Sequence, residues 1–181
     1  FCDVGCGISA LLPIDCLSVS RIQSPANRVQ LEEDLFCVIK SRDEQGRLVL
    51  SLRELLGTWQ ENAGRFAVGE TVVGIVRSIE DYGVFIEIAP NLAGLAERTE
   101  GLRLGQPVSV YIKSILPDKM KLKLVIVNRE LLRFALPYTQ TEGHIDRWVY
   151  STPFSRKHIE TEFETEVRAA AGPCAGEQIL L

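Results

Sequence analysis

The sequence has no apolar run of eighteen residues, and its start lacks the basic, apolar and small-residue sections of a secretory leader. A cytoplasmic protein with no membrane contact is therefore expected. It has no C-x-x-C pair: its five cysteines (Cys2, Cys6, Cys16, Cys37, Cys174) form an odd set, and the first histidine is His144. Free thiols fit that pattern better than a disulfide framework or a metal site. The two histidines, His144 and His158, have no Ser, Cys or carboxylate constellation to support them, and no Walker loop, dinucleotide fingerprint or H-E-x-x-H motif occurs. Neither catalysis nor a cofactor is expected. Helical periodicity is nearly absent between residues 66 and 127.

What is present is a soluble, globular composition, 46% hydrophobic and 24% charged over 181 residues, enough for two domains. The net charge of −4 weighs mildly against a polyanionic partner. Its distribution weighs the other way. Residues 66–127 carry seven basic groups (Arg77, Arg98, Arg103, Lys113, Lys119, Lys121, Lys123) against seven acidic ones, and four of the seven fall between Lys113 and Lys123. A local basic strip on an acidic chain follows.

The pattern from Gly69 to Val127 reads as five short strands. Gly69 to Ile79 places Val72, Gly74 and Val76 on one face, and Gly74 permits tight coiling. Tyr82 to Ile88 turns Ile86 and Ile88 one way and Phe85 and Glu87 the other. Leu92–Leu95, Val108–Ile115 and Met120–Val127 follow, the last two joined at Pro117-Asp118. Five β segments with Gly-rich corners in so short a stretch suggest a barrel.

The first half repeats this pattern. Phe1-Cys-Asp-Val4 and Ile8-Ser-Ala-Leu11 align without a gap on Phe85-Ile-Glu-Ile88 and Leu92-Ala-Gly-Leu95. Leu35 to Ser41 aligns on Val108 to Ser114, and Arg47 to Leu50 on Lys121 to Leu124. The chain opens on Phe1 within a strand-like pattern, so residues 1–52 read as the back part of a first module in a fragment of a longer protein. Between the modules, Leu52, Leu55, Leu56, Trp59 and Ala63 recur at helical spacing, with Gly64 at the end, which predicts a linking helix over 53–65. Beyond Asn128 the repeat stops. Within the extension 128–181, alternation in Gly143–Ser151 and His158–Val167 predicts a β-hairpin over 143–167, and Ile179-Leu180-Leu181 offers a docking segment.

The run G-E-T-V-V-G-I-V-R-S-I-E-D-Y-G-V-F-I-E-I with N-L-A-G-L is similar to the opening of the ribosomal S1-type RNA-binding domain, a five-stranded OB-fold. The first half, with G-I-S-A-L-L-P-I-D-C-L-S and R-L-V-L-S-L-R, resembles the later part of that domain. The two matches cover about two thirds of the chain, and the tail G-H-I-D-R-W-V-Y-S-T-P adds a likeness to clostridial-type homologues of the ribosomal S1 family. The implied fold class is mainly β: tandem S1-type OB barrels of five strands, the first incomplete (1–52), the second complete (66–127), with the linking helix and the carboxy-terminal hairpin.

The resemblance implies binding of single-stranded RNA (mRNA), with the small ribosomal subunit as a further partner. The family's face uses two aromatics three apart on the second strand, here Tyr82 and Phe85, with Phe1 at the corresponding place in the first copy. Their rings would stack on unpaired bases; the plain reading is that both are ordinary core or interface aromatics. An acid followed by an Arg four residues later at the last hairpin matches Asp43 and Arg47, as a phosphate contact or as a surface ion pair of little worth. Lys121 and Lys123 project from one strand face, with Lys113 on the neighbouring strand as a residue that could join them, for RNA or for solvent. Glu97, and Pro13 in the first copy, depart from a common histidine. Two other functions fit the same residues: the accessory RNA-binding part of a larger RNA-processing enzyme, and a protein-interaction module that has lost RNA binding.

Overall fold

The computed structural model describes residues 1–5, 7–129, 136, 145–163 and 179–180. Its central unit is a closed barrel of five strands: β5 (Thr71–Glu80), β6 (Gly83–Ala89), β7 (Leu92–Ala96), β8 (Pro107–Leu116) and β9 (Lys121–Asn128), in the order β5-β6-β7-β9-β8 and back to β5. All neighbours are antiparallel except β7 and β9, which run parallel through Leu95–Lys123 and Ala96–Leu124. Alternation along the strands fills the interior with Val76, Val84, Ile86, Leu92, Val110, Ile112, Leu122 and Leu124, all buried. Gly74 is required where β5 crosses β6: a Cβ there would lie 2.6 Å from Ile86 Cγ2 and 2.8 Å from the Glu87 carbonyl.

The amino-terminal segment is built from β1 (Cys2–Asp3), β2 (Ser9–Ala10), β3 (Phe36–Arg42) and β4 (Leu48–Ser51). It does not close. Its pairing nonetheless falls at the offsets of the barrel. Cys2–Ala10 and Asp3–Ser9 stand where Ile86–Gly94 and Glu87–Ala93 stand in the barrel. The parallel bridge Leu11–Val49 corresponds to Leu95–Lys123. Ile39–Leu50, Ser41–Val49 and Arg42–Leu48 correspond to Ile112–Leu124, Ser114–Lys123 and Ile115–Leu122, with the register shift at the same place in both. The free edge of β3 pairs with β12 (Ile179–Leu180) through Cys37 and Phe36, the counterparts of the β8 residues that β5 holds.

Two short elements connect the units instead of the one helix expected over 53–65. A 3₁₀ turn at Arg53–Leu56 ends at Gly57, whose φ of 81° breaks the helix, and α2 (Trp59–Ala63) starts afresh. Thr58 and Glu61 form a reciprocal capping box there, which favours a new helix start over continuation. The break divides the apolar face. Trp59 and Ala63 join the barrel core, whereas Leu52 and Leu56 pack with Leu17 of α1 (Ile14–Leu17) and with Ile22.

In the extension, β10 (Arg147–Val149) pairs antiparallel with β11 (Glu160–Glu162), enclosing a long loop; residues 143–144 and 164–167 of the expected hairpin lie outside the described residues. Trp148 and Tyr150 are buried against the barrel core. Cys2, Cys16 and Cys37 are free thiols, and burial, with Cys2 nearby, pushes the Cys37 thiol up to about 12. Among the described residues no helix is long and apolar enough to cross a membrane.

Candidate nucleic-acid interface

Tyr82 sits at the turn between β5 and β6, and Phe85 follows on the outward side of β6. Tyr82 is 69% exposed and Phe85 half-buried. The rings meet edge to face, centroids 6.1 Å apart at 86°, an arrangement favoured by the ring quadrupole. Phe85 is opposite Leu95, and Leu95 is opposite Lys123, so an outward row runs Phe85, Leu95, Lys123 across three strands.

A cleft of about 450 Å³ opens beside the two rings. Lys121 lines it, as do Arg77 and Lys119, and so do Ser20 and Arg21 from the amino-terminal segment and Lys157 from the extension. No ion pair engages Arg21, Lys119, Lys121 or Lys157 among the described residues. The acid in the wall, Glu80, accepts a hydrogen bond from the Ser78 hydroxyl. The balance is cationic in a chain whose overall charge is negative.

Of the residues singled out from the sequence, Tyr82, Phe85 and Lys121 share this cleft. Lys123 lies in the adjacent row. Lys113 is exposed on β8, at the register shift between Ile112 and Ser114, and does not line the cleft. Phe1, 88% exposed, borders a separate hollow of the amino-terminal segment. Asp43 and Arg47 close the β3–β4 turn on each other, Arg47 Nε donating to Asp43 Oδ2 at 2.7 Å. Backbone and side-chain hydrogen bonds from Arg47 hold the Asp43 carboxyl below its ordinary value. Glu97 is exposed and outside the cleft.

Alternation placed Glu87 on the outward face with Phe85, and that is its side of β6; yet Glu87 is fully buried. Arg28, from the amino-terminal segment and itself bonded to Ser18, reaches it. Arg28 Nη2 donates to Glu87 Oε1 at 2.6 Å and Arg77 Nε donates to Oε2 at 2.7 Å, so one carboxylate is bracketed by two guanidinium groups. The cluster keeps one net positive charge, which removes the repulsion a bare carboxylate would present on this face. Beside it, Asn91, at φ 61°, joins three segments. Its Oδ1 accepts from the Val19 backbone at 2.9 Å, its Nδ2 donates to the Arg53 carbonyl at 2.8 Å, and its own carbonyl accepts from the Tyr150 hydroxyl. A second junction forms where Thr161 Oγ1 donates to Glu54 Oε1 at 2.7 Å and accepts from Arg53 Nη2 at 2.9 Å. Sequence reasoning missed these partners. The one local signal was Asn91 after Pro90, a turn where Asn tolerates positive φ.

No protein-family model matches the chain. It is similar to small ribosomal subunit protein bS1 of Staphylococcus aureus, 32% identical over 169 residues, which is 91% of this chain and 42% of that protein. The bS1 of Leuconostoc lactis is 29% identical over 137 residues, 68% of this chain and 32% of that one. The chain thus spans a third to two fifths of the length of these curated relatives. A crystal structure of a multidomain protein with nucleic acid binding domains from Streptococcus pneumoniae matches 70% of the chain and 45% of its own, at 18% identity and a TM-score of 0.29, a superposition too poor to bear on fold or function. The closed barrel, with β9 inserted between β7 and β8, and a likeness to bS1 that runs over nearly the whole chain make it a member of the S1-type OB-fold domain family, homologous to part of bS1.

Proposed function

We propose that the barrel holds single-stranded RNA, such as mRNA, on the outward face of β6, β7 and β9, as part of the cytoplasmic translation machinery and in association with the small ribosomal subunit. The observation that carries this reading is the pair Tyr82 and Phe85 bordering a cleft with the unpaired cations Lys119 and Lys121. Bases stack on aromatic rings for roughly 1–3 kcal/mol each with little sequence preference, and cations beside them meet the phosphates. Lys123, in the row of Phe85, and Lys113 on the next strand extend the contact along the backbone. Such a surface binds and positions a strand and carries no chemistry. The bS1 relatives support the assignment to translation.

The tandem arrangement belongs to the same proposal: residues 1–52 are the later strands of a first S1-type module, ahead of the linker at 53–65, the second module's barrel at 66–127 and the extension from 128. The matching pairing offsets and register shift support it. Phe1, Asp43 and Arg47 then stand as the first module's contact residues.

Fluorescence anisotropy with labelled oligouridine across a salt series tests the reading. Phe85→Ala weakens binding roughly tenfold, and Lys121→Ala lowers the salt slope by about 0.7. Binding that is independent of salt and unchanged in both variants overturns it.

A further inference from the structure

The cleft is not a property of the barrel alone. One wall comes from Ser20 and Arg21, upstream of the linker, and another from Lys157, in the loop between β10 and β11. Both walls are firmly held. Val19, next to Ser20, donates its backbone N–H to Asn91 Oδ1, and the Ser20 backbone donates to Ser18 Oγ at 3.1 Å. The 150–159 loop is tied to the β8–β9 turn: Thr152 Oγ1 donates to the Pro117 carbonyl at 2.8 Å, and the Ile159 backbone donates to Ser151 Oγ at 2.7 Å. The Lys157 backbone donates to Ser155 Oγ at 3.1 Å, so the lysine leaves a braced turn.

These walls bring groups with no other employment. The Arg21 and Lys157 side chains are exposed and engage no acid among the described residues. Ser20 is 8% exposed, and its buried hydroxyl has no hydrogen-bond partner there. A buried hydroxyl left unpaired costs free energy, which a ligand oxygen at the cleft would recover.

We propose that Arg21, Ser20 and Lys157 are phosphate-binding residues of a composite site, gripping the backbone of the strand whose bases stack on Tyr82 and Phe85. This rests on the RNA-binding reading above and adds that the amino-terminal segment and the extension are parts of the site, not covers over it. The barrel supplies the stacking rings; the flanks supply cations on both sides of them. An exposed cation one residue away, Arg156, does not line the cleft and makes an internal control.

The test uses the full chain and labelled oligouridine in anisotropy titrations across a salt series. Arg21→Ala and Lys157→Ala each weaken binding roughly threefold to tenfold and lower the salt slope by about 0.7, while Arg156→Ala leaves the slope at the parent value. Ser20→Ala weakens binding with no change of slope. If Lys121→Ala weakens binding but Arg21→Ala and Lys157→Ala match the parent, the composite site is wrong and the barrel's face stands. If Arg156→Ala costs as much as Lys157→Ala, the effect is overall charge and the site is likewise wrong. If neither Phe85→Ala nor Lys121→Ala changes binding, the RNA-binding reading falls and takes this inference with it.

Discussion

The barrel of residues 71–128 and the amino-terminal segment of residues 1–52 pair their strands in one register, yet among the described residues only the first is closed, and the cleft with its aromatics opens on the first. Register follows from alternation and bulge placement, which both segments keep. The site depends on what the outward residues meet, and here they diverge. Glu87 and Asp3 occupy the same place, facing Ala93 and Ser9. Glu87 is buried under two arginines, while Asp3 is exposed and accepts a hydrogen bond from the Gly5 backbone. The same backbone plan therefore carries a junction between segments in one case and a solvated strand end in the other.

The sharpest way to break that comparison is to remove the two carboxylates in turn. Glu87→Ala leaves Arg28 and Arg77, whose side chains are 3% and 8% exposed, buried without a counter-charge, which costs about 3–5 kcal/mol. Asp3→Asn stays within about 0.5 kcal/mol, as for an exposed side chain. Urea denaturation of both variants decides it; equal, small losses mean that the Arg28–Glu87–Arg77 cluster does not hold the segments together. A second pair sets Gly94 against Ala10, also at one register position. A Cβ on Gly94 would lie 2.6 Å from Leu124 Cδ1 and 2.7 Å from its Cγ, so Gly94→Ala overpacks the barrel by about 1–3 kcal/mol. Ala10, fully buried, already carries that methyl, and Ala10→Gly costs about 1 kcal/mol through lost burial and added chain freedom. Opposite preferences at one position mark the closed barrel as the tighter of the two.

Much of the barrel was legible because its strands alternate cleanly and its corners hold glycine or proline. The pairing of Phe1–Leu11 could be aligned from sequence because the repeat there has no gap. Tyr82 and Phe85 were singled out by the resemblance to the S1-type domain, which alternation alone would not have supplied. Glu87 was placed on the correct side, but its burial was out of reach: its partner Arg28 lies 59 residues away, in a stretch with no periodicity. The linker was read as one helix because Leu52, Leu56, Trp59 and Ala63 keep helical spacing on both sides of Gly57. Spacing alone does not register a positive φ or the capping box that restarts the helix. Arg21 and Lys157 escaped because each stands in a loop, where no pattern links a cation to a distant strand face.

The smallest expected effect concerns the last hairpin, which the two regions close by different means. In the barrel, a 3₁₀ turn at Pro117–Lys119 leads to Met120 at φ 47°, and Lys121 emerges free to line the cleft. In the amino-terminal segment, Asp43 Oδ1 accepts from the backbones of Gln45 and Arg47 at 3.0 and 2.8 Å, and Arg47 is tied to the same carboxylate. The carboxyl is thereby held below its ordinary 3.8, the backbone N–H of Arg47 contributing most. A depressed carboxylate stabilises the fold above its unfolded value, and that stabilisation is lost as pH falls through the folded value. Asp43→Asn should therefore lower the thermal midpoint slightly at neutral pH, with the gap to the parent closing as pH drops below 3.8. Melting curves of parent and variant across pH check this. A gap that persists undiminished in acid would assign the turn's stability to backbone shape, as in the barrel, and not to the Asp43 charge.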